Sequence, residues 1–133
     1  MFQCVHRYAV ESWTVEQNEK VFSGCFTPHG HGHNYTLEVY IEGTPDATSG
    51  MILNLMDVDK MLTQVLAPFD GKHLNFETKQ FQNLVPTTEN IARELFQQFD
   101  QLLIASLDAK NSSAKLIKAR IFENEDLWVD IWK

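Results

Sequence analysis

The sequence predicts an α+β domain: an antiparallel four-stranded sheet with two helices on one face, in the order β-β-α-α-β-β. Three observations carry that reading. Apolar residues alternate with polar ones at both ends of the chain, the period of a half-buried strand. Two central segments instead repeat apolar residues at helical spacing. Turn-forming residues punctuate the junctions between them.

The elements follow in order. Phe2, Cys4, His6, Tyr8 and Val10 share one face of an extended segment over 2–10. The polar stretch Glu11 to Lys20 reads as a loop or an edge. Gly24, Pro28, Gly30 and Gly32 exclude a regular helix between 24 and 33. From His33 to Glu42, Tyr35, Leu37, Val39 and Ile41 take one face of a second strand. Gly43-Thr44-Pro45-Asp46 ends it, and Ser49-Gly50 adds another turn signal. The first helix spans Asp57 to Leu66, with Val58, Met61, Leu62, Val65 and Leu66 inward and Pro68 as its stop. Residues 70–85 read as irregular. Thr87 caps a second helix whose core stripe is Ile91, Leu95, Phe99, Leu102 and Leu103. A loop over 108–113 leads to two short strands, Leu116 to Phe122 and Leu127 to Trp132. Glu123-Asn124-Glu125-Asp126 forms the hairpin turn between them.

The 133 residues form a single domain, 1–133, long enough to bury its own core. Hydrophobic residues at 44% and charged residues at 22% exclude a disordered chain. The net charge of −7 disfavours a nucleic-acid binder, while leaving room for a small anion in a local basic pocket. No apolar run is long enough to span a membrane, and the amino terminus lacks the pattern of a signal peptide. With only Cys4 and Cys25, the expectation is a cytoplasmic protein with free thiols.

Chemistry concentrates around the histidines. Three of five, His29, His31 and His33, fall within five residues. On an extended chain His31 and His33 point the same way and can offer two nitrogens to one ion. Three histidines would leave a zinc ion an open position, as catalytic sites require. The third must come from elsewhere, and His6 on a neighbouring strand is the natural choice. Cys4 shares the face of His6, but as a fourth ligand it would close the site. Cys25 lies six residues before His31, where a nearby cation would favour its reactive thiolate. Asp70-Gly71-Lys72-His73 places an acid, a cation and a base together. By itself that reads first as a turn with a solvated charge cluster.

Five segments in order resemble the family of 6-pyruvoyl- and 6-carboxy-tetrahydropterin synthases. They are Phe2-Gln3-Cys4-Val5-His6-Arg7, Cys25 with His31-Gly32-His33-Asn34-Tyr35, Gly50-Met51-Ile52-Leu53-Asn54-Leu55-Met56-Asp57, Pro86-Thr87-Thr88-Glu89-Asn90, and Phe122-Glu123. The resemblance implies the tunnelling fold, in which three subunits join their sheets into a barrel and two trimers stack into a hexamer. It implies a Zn2+ site at His6, His31 and His33 and a catalytic cysteine at Cys25. It also implies a pterin-anchoring glutamate at Glu123, with Thr87 and Thr88 beside the pocket. The implied substrate is 7,8-dihydroneopterin triphosphate, with zinc acting on its side-chain hydroxyls as a Lewis acid. A carboxylate suits the donor edge of a pterin because it accepts two hydrogen bonds. Lys72, Arg7 and Lys20 are candidate triphosphate contacts on charge. Sites of this kind lie between subunits, so Cys25 need not serve the zinc site of its own chain.

Two features depart from the family pattern. Asp-His usually follows the first helix, whereas this chain has Asp70-Gly71, so either a rebuilt loop gives His73 the relay to Cys25, the favoured reading, or the relay is missing. Ser23-Gly24 also stands where Gly-Lys usually precedes the cysteine. Both histidine registers are present, with three residues between Cys25 and His29-Gly30-His31 and five between Cys25 and His31-Gly32-His33. Asn34-Tyr35 supports the second, which resembles the 6-pyruvoyl type. The leading expectation is a zinc-dependent lyase releasing triphosphate. The alternatives are the 6-carboxy synthase of queuosine biosynthesis, which also releases acetaldehyde, and a pterin-binding member with little turnover.

Overall fold

A computed structural model describes residues 1–107 and 113–133. The expected loop over 108–113 lies outside the described residues, apart from Ser113. The strands are β1 (Phe2–His6), β2 (His31–Glu42), β3 (Lys72–His73), β4 (Lys115–Asn124) and β5 (Leu127–Trp132). The helices are α1 (Val15–Phe22), α2 (Leu55–Leu66), α3 (Leu74–Glu77) and α4 (Thr88–Leu107), with a 3-10 turn at Ser23–Cys25.

The sheet has five strands in the order β3-β1-β2-β4-β5. It is mixed rather than wholly antiparallel, because β3 runs parallel to β1 and pairs Cys4 with Lys72 and Val5 with His73. This corrects the four-stranded expectation. Two residues are too short for alternation to reveal. They pair because Gly71, at φ +71, turns the chain after α2 and donates its N–H to Gln3 O at 2.7 Å.

β1 ends at His6 rather than at Val10. Beyond it, the Asn75 side chain takes over the ladder by accepting from Arg7 N and donating to Arg7 O. The polar stretch predicted as a loop contains α1. Its start is a capping box: Gln17 N donates to Thr14 Oγ1 while Thr14 N donates to Gln17 Oε1. Asn18, the buried residue of that helix, ties it to the preceding loop through Val10 N and O. α2 begins at Leu55, two residues before the expected Asp57, because Asn54 Oδ1 accepts from Met56 N and sets the cap there. Thr87 caps α4 as expected, with Asn90 N donating to its hydroxyl. The β4–β5 hairpin turns at Glu125-Asp126.

α2 and α4 pack against each other, and α4 packs on β4 and β5. The core joins Val58, Met61 and Val65 of α2 to Ile91, Leu95, Phe99 and Leu103 of α4. Tyr35, Leu116, Ala119 and Ile121 of the sheet meet them from below. Leu102 sits at the margin of this core, partly buried. The opposite face of the sheet carries charge and aromatic rings. There Arg120 makes a two-pronged ion pair with Asp130, and Lys118 lies over the Tyr40 ring.

Candidate metal centre and pterin pocket

Antiparallel pairing of β1 with β2 places Cys4 opposite His33 and His6 opposite His31. The period of two then brings His6, His31 and His33 to one face. The three rings meet edge to face, with centroids 4.7–5.0 Å apart. One nitrogen from each lies within 4.8 Å of the other two. Gly30 makes the approach possible: it has φ +74, and a Cβ there would stand 2.3 Å from His6 O.

These nitrogens suit a divalent ion. His6 Nδ1 donates to Pro86 O at 2.9 Å, which fixes the tautomer and leaves Nε2 as the ligand atom. His6 Nε2 and His31 Nε2 are 3.2 Å apart. Two nitrogens bound tetrahedrally at zinc distances stand about 3.3 Å apart. His33 Nε2 is buried without a hydrogen-bond partner, 3.3 Å from Glu123 Oε1. Burial lowers the His6 pKa to about 4, assisted by His31, and lowers that of His33 against the opposing pull of Glu123. Neutral imidazoles are the metal-binding form.

Cys4 is not in this group. It is 4% exposed, and burial with nearby Asp70 and Glu123 pushes its thiol up to about 12. That is unfavourable for a thiolate ligand. His29 also stays outside the group, which therefore uses the register with five residues between Cys25 and His31.

Glu123, near the end of β4, is the second centre of the site. Its Oε2 accepts from the Thr88 hydroxyl and, at 3.4 Å, from the Tyr35 hydroxyl. Thr88 opens α4, so a helix N-terminus adjoins this carboxylate. The Tyr8 phenol lies beside Thr88, and its ring meets His6 edge on at 5.0 Å. Thr87 is committed to capping.

The remaining expected residues stand apart from this cluster. Cys25, partly buried in the 3-10 turn, is held by its carbonyl, which accepts from Tyr8 N at 3.3 Å. Asp70 Oδ1 accepts from Gln3 N at 2.8 Å. His73 Nε2 bonds to His29 O at 3.1 Å, and its ring rests on Phe76. Among the described residues, no hydrogen bond joins Cys25, Asp70 and His73 to one another. Lys72 is half exposed and faces Glu77 at 3.4 Å. Tyr8, Tyr35 and Pro86 were not identified from the sequence. Tyr8 and Tyr35 each left a signal, since they continue the 4, 6, 8 and the 31, 33, 35 alternations onto the histidine face.

The family model described as 6-pyruvoyl tetrahydropterin synthase matches residues 1–133. The chain belongs to that family. Its members are lyases that make tetrahydropterins, and this chain is an enzyme of that kind. A 6-pyruvoyl tetrahydrobiopterin synthase from Poecilia reticulata is 37% identical over 107 residues, covering 80% of this chain and 73% of that protein. A protein from Archaeoglobus fulgidus, provisionally named 6-carboxy-5,6,7,8-tetrahydropterin synthase, is 30% identical over 101 residues, 76% of this chain and 74% of its own. The structure of Caenorhabditis elegans 6-pyruvoyl tetrahydropterin synthase superposes with a TM-score of 0.89 at 29% identity, covering 99% of this chain and 89% of that one. The pterin synthase family thus accounts for the fold and for a pterin substrate. Among the described residues no helix is long and apolar enough to cross a membrane.

Proposed function

We propose that this protein is a zinc-dependent lyase of the 6-pyruvoyl type, acting on 7,8-dihydroneopterin triphosphate with loss of triphosphate. The supporting observation is the adjacency of the three-histidine group to the Glu123 carboxylate, which pairs a metal centre with a pterin acceptor. His6, His31 and His33 would hold the zinc ion, which when bound would supply Lewis acidity at the side-chain hydroxyls of the substrate. Glu123 accepts hydrogen bonds from the amino-pyrimidine edge of the pterin, with Thr87 and Thr88 lining that end. The Cys25 thiolate takes and returns protons on the substrate side chain. His73 steadies the loop after Cys25 through His29 O, and Asp70 anchors the approach to β3 through Gln3 N. Lys72 is the cation for the triphosphate, released from Glu77 when substrate arrives.

The active unit is a trimer whose sheets join into a barrel, stacked into a hexamer. An outer edge strand with exposed Leu127, Trp128 and Trp132 supports a joint between copies. Cys25 then serves a site it shares with a neighbouring subunit. The protein works in the cytoplasm.

The test is product analysis by mass spectrometry, with zinc-loaded protein and 7,8-dihydroneopterin triphosphate. A 6-pyruvoyl product and free triphosphate are expected. A 6-carboxy product with acetaldehyde would move the chain to the queuosine branch. Bound, unreacted pterin would make it a binding protein.

A further inference from the structure

Tyr35 closes the histidine motif, yet the reaction as proposed gives it no task. It is fully buried, with its ring stacked on Phe2 at 5.3 Å. Its hydroxyl lies between two functional groups, 3.2 Å from His6 Nδ1 and 3.4 Å from Glu123 Oε2. Pro86 O decides the direction of these contacts. Because Nδ1 of His6 carries the proton donated to Pro86, the Tyr35 oxygen faces a donor there, and its own hydrogen is directed to Glu123. Oε2 therefore receives two hydroxyl hydrogens, one from Tyr35 and one from Thr88. Both hydroxyls come from buried residues, one on the sheet and one at the start of α4. Oε1 is left toward His33.

We propose that Tyr35 is a positioning residue which, with Thr88, fixes the Glu123 carboxylate against the metal site. Pterin affinity then depends on these hydroxyls, while metal retention does not, because Pro86 O orients His6 without them. A hydrogen bond to a charged group contributes about 1.5–3 kcal/mol, so removing either hydroxyl lowers affinity about tenfold or more. The inference rests on the pterin-site reading above.

The experiment measures zinc content and neopterin binding, by fluorescence, in the zinc-loaded protein and its Tyr35→Phe, Thr88→Val and Thr88→Ser variants. Tyr35→Phe keeps its zinc and binds neopterin about tenfold more weakly. Thr88→Val behaves likewise, Thr88→Ser restores affinity, and the double variant loses less than the product of the two. With turnover, KM rises and kcat holds. Wild-type affinity in a zinc-replete Tyr35→Phe protein overturns the proposal, as does loss of zinc from that variant. Should Tyr35→Phe fail to fold, equal affinity of Thr88→Val and Thr88→Ser overturns it. Wild-type protein that does not bind neopterin at all overturns the pterin-site reading and this proposal with it.

Discussion

The two histidine-bearing regions of this protein are built differently. His6, His31 and His33 stand on paired strands, where register and the period of two bring them to one face. Cys25 and His73 come from a 3-10 turn and a two-residue strand, Cys25 held by its own carbonyl accepting from Tyr8 N and His73 by its ring at His29 O and its N–H to Glu77. The strand-borne set has a ring packed against every ring and a carbonyl fixing the deepest one. The loop-borne set has no hydrogen bond among its own members within the described residues. A metal centre needs fixed nitrogens, whereas a proton carrier must reach different atoms in turn. Under the proposed function, the division of labour follows the stiffness of the elements.

The largest expected effect separates the two histidine sets outright. His31→Ala should lower zinc affinity by more than the roughly 10–100-fold that losing a supporting partner costs. His73→Ala should leave zinc content unchanged. Metal analysis after dialysis checks both, and zinc lost from His73→Ala would erase the contrast.

Next comes chemistry. Cys25→Ala should keep its zinc and its fold while turnover falls about 10²–10⁴-fold, the scale of a missing proton carrier. Unchanged turnover would remove Cys25 from the mechanism.

The thiols sharpen the same contrast. Cys25 is partly exposed, while Cys4 is buried with its thiol pushed up to about 12. Iodoacetamide at pH 8 should label one thiol per native chain, and the labelled peptide should contain Cys25. Equal labelling of Cys4 would contradict the rigidity of the strand region.

Gly30 joins the two regions. Gly30→Ala adds a Cβ against His6 O at a position with φ +74, so it should cost more than about 2 kcal/mol in denaturant unfolding. A variant of native stability would mean that the entry into β2 is more pliable than described.

The smallest effect lies on the far face of the sheet. The Arg120 guanidinium holds the Asp130 carboxyl below its ordinary value of 3.8. With the folded pKa depressed, the pair stabilises above that pH, and its contribution is lost as pH falls through the lower folded value. Asp130→Asn should flatten the acid limb of the stability curve, by a small amount because the pair is partly exposed. Acid titration of both proteins by circular dichroism checks this, and superposable limbs would refute it.

Much of this was legible in the residues. Alternation over 33–42 and 127–132 and helical spacing over 57–66 and 91–103 reflect burial on one face, which composition records directly. The three-histidine group was legible because an HxH pair on a strand fixes its own direction and His6 lies on a neighbouring strand. β3 and α3 were not, since two to four residues are too few to show a period. α1 was missed for another reason. It buries little beyond Asn18 and is begun by the Thr14–Gln17 box, a local signal without an apolar stripe.

Local periodicity and short spacing in the residues alone set β1, β2, β4, β5, α2 and α4, the family motifs and the residue types of the three-histidine group. The way distant segments meet comes from tertiary packing. Pro86 reaches His6 across 80 residues, and Tyr35 and Thr88 converge on Glu123 across 88 and 35. Gly71 allowed β3 to join β1 in parallel. Such contacts depend on register and on helix placement over the sheet, which are settled when the whole core packs.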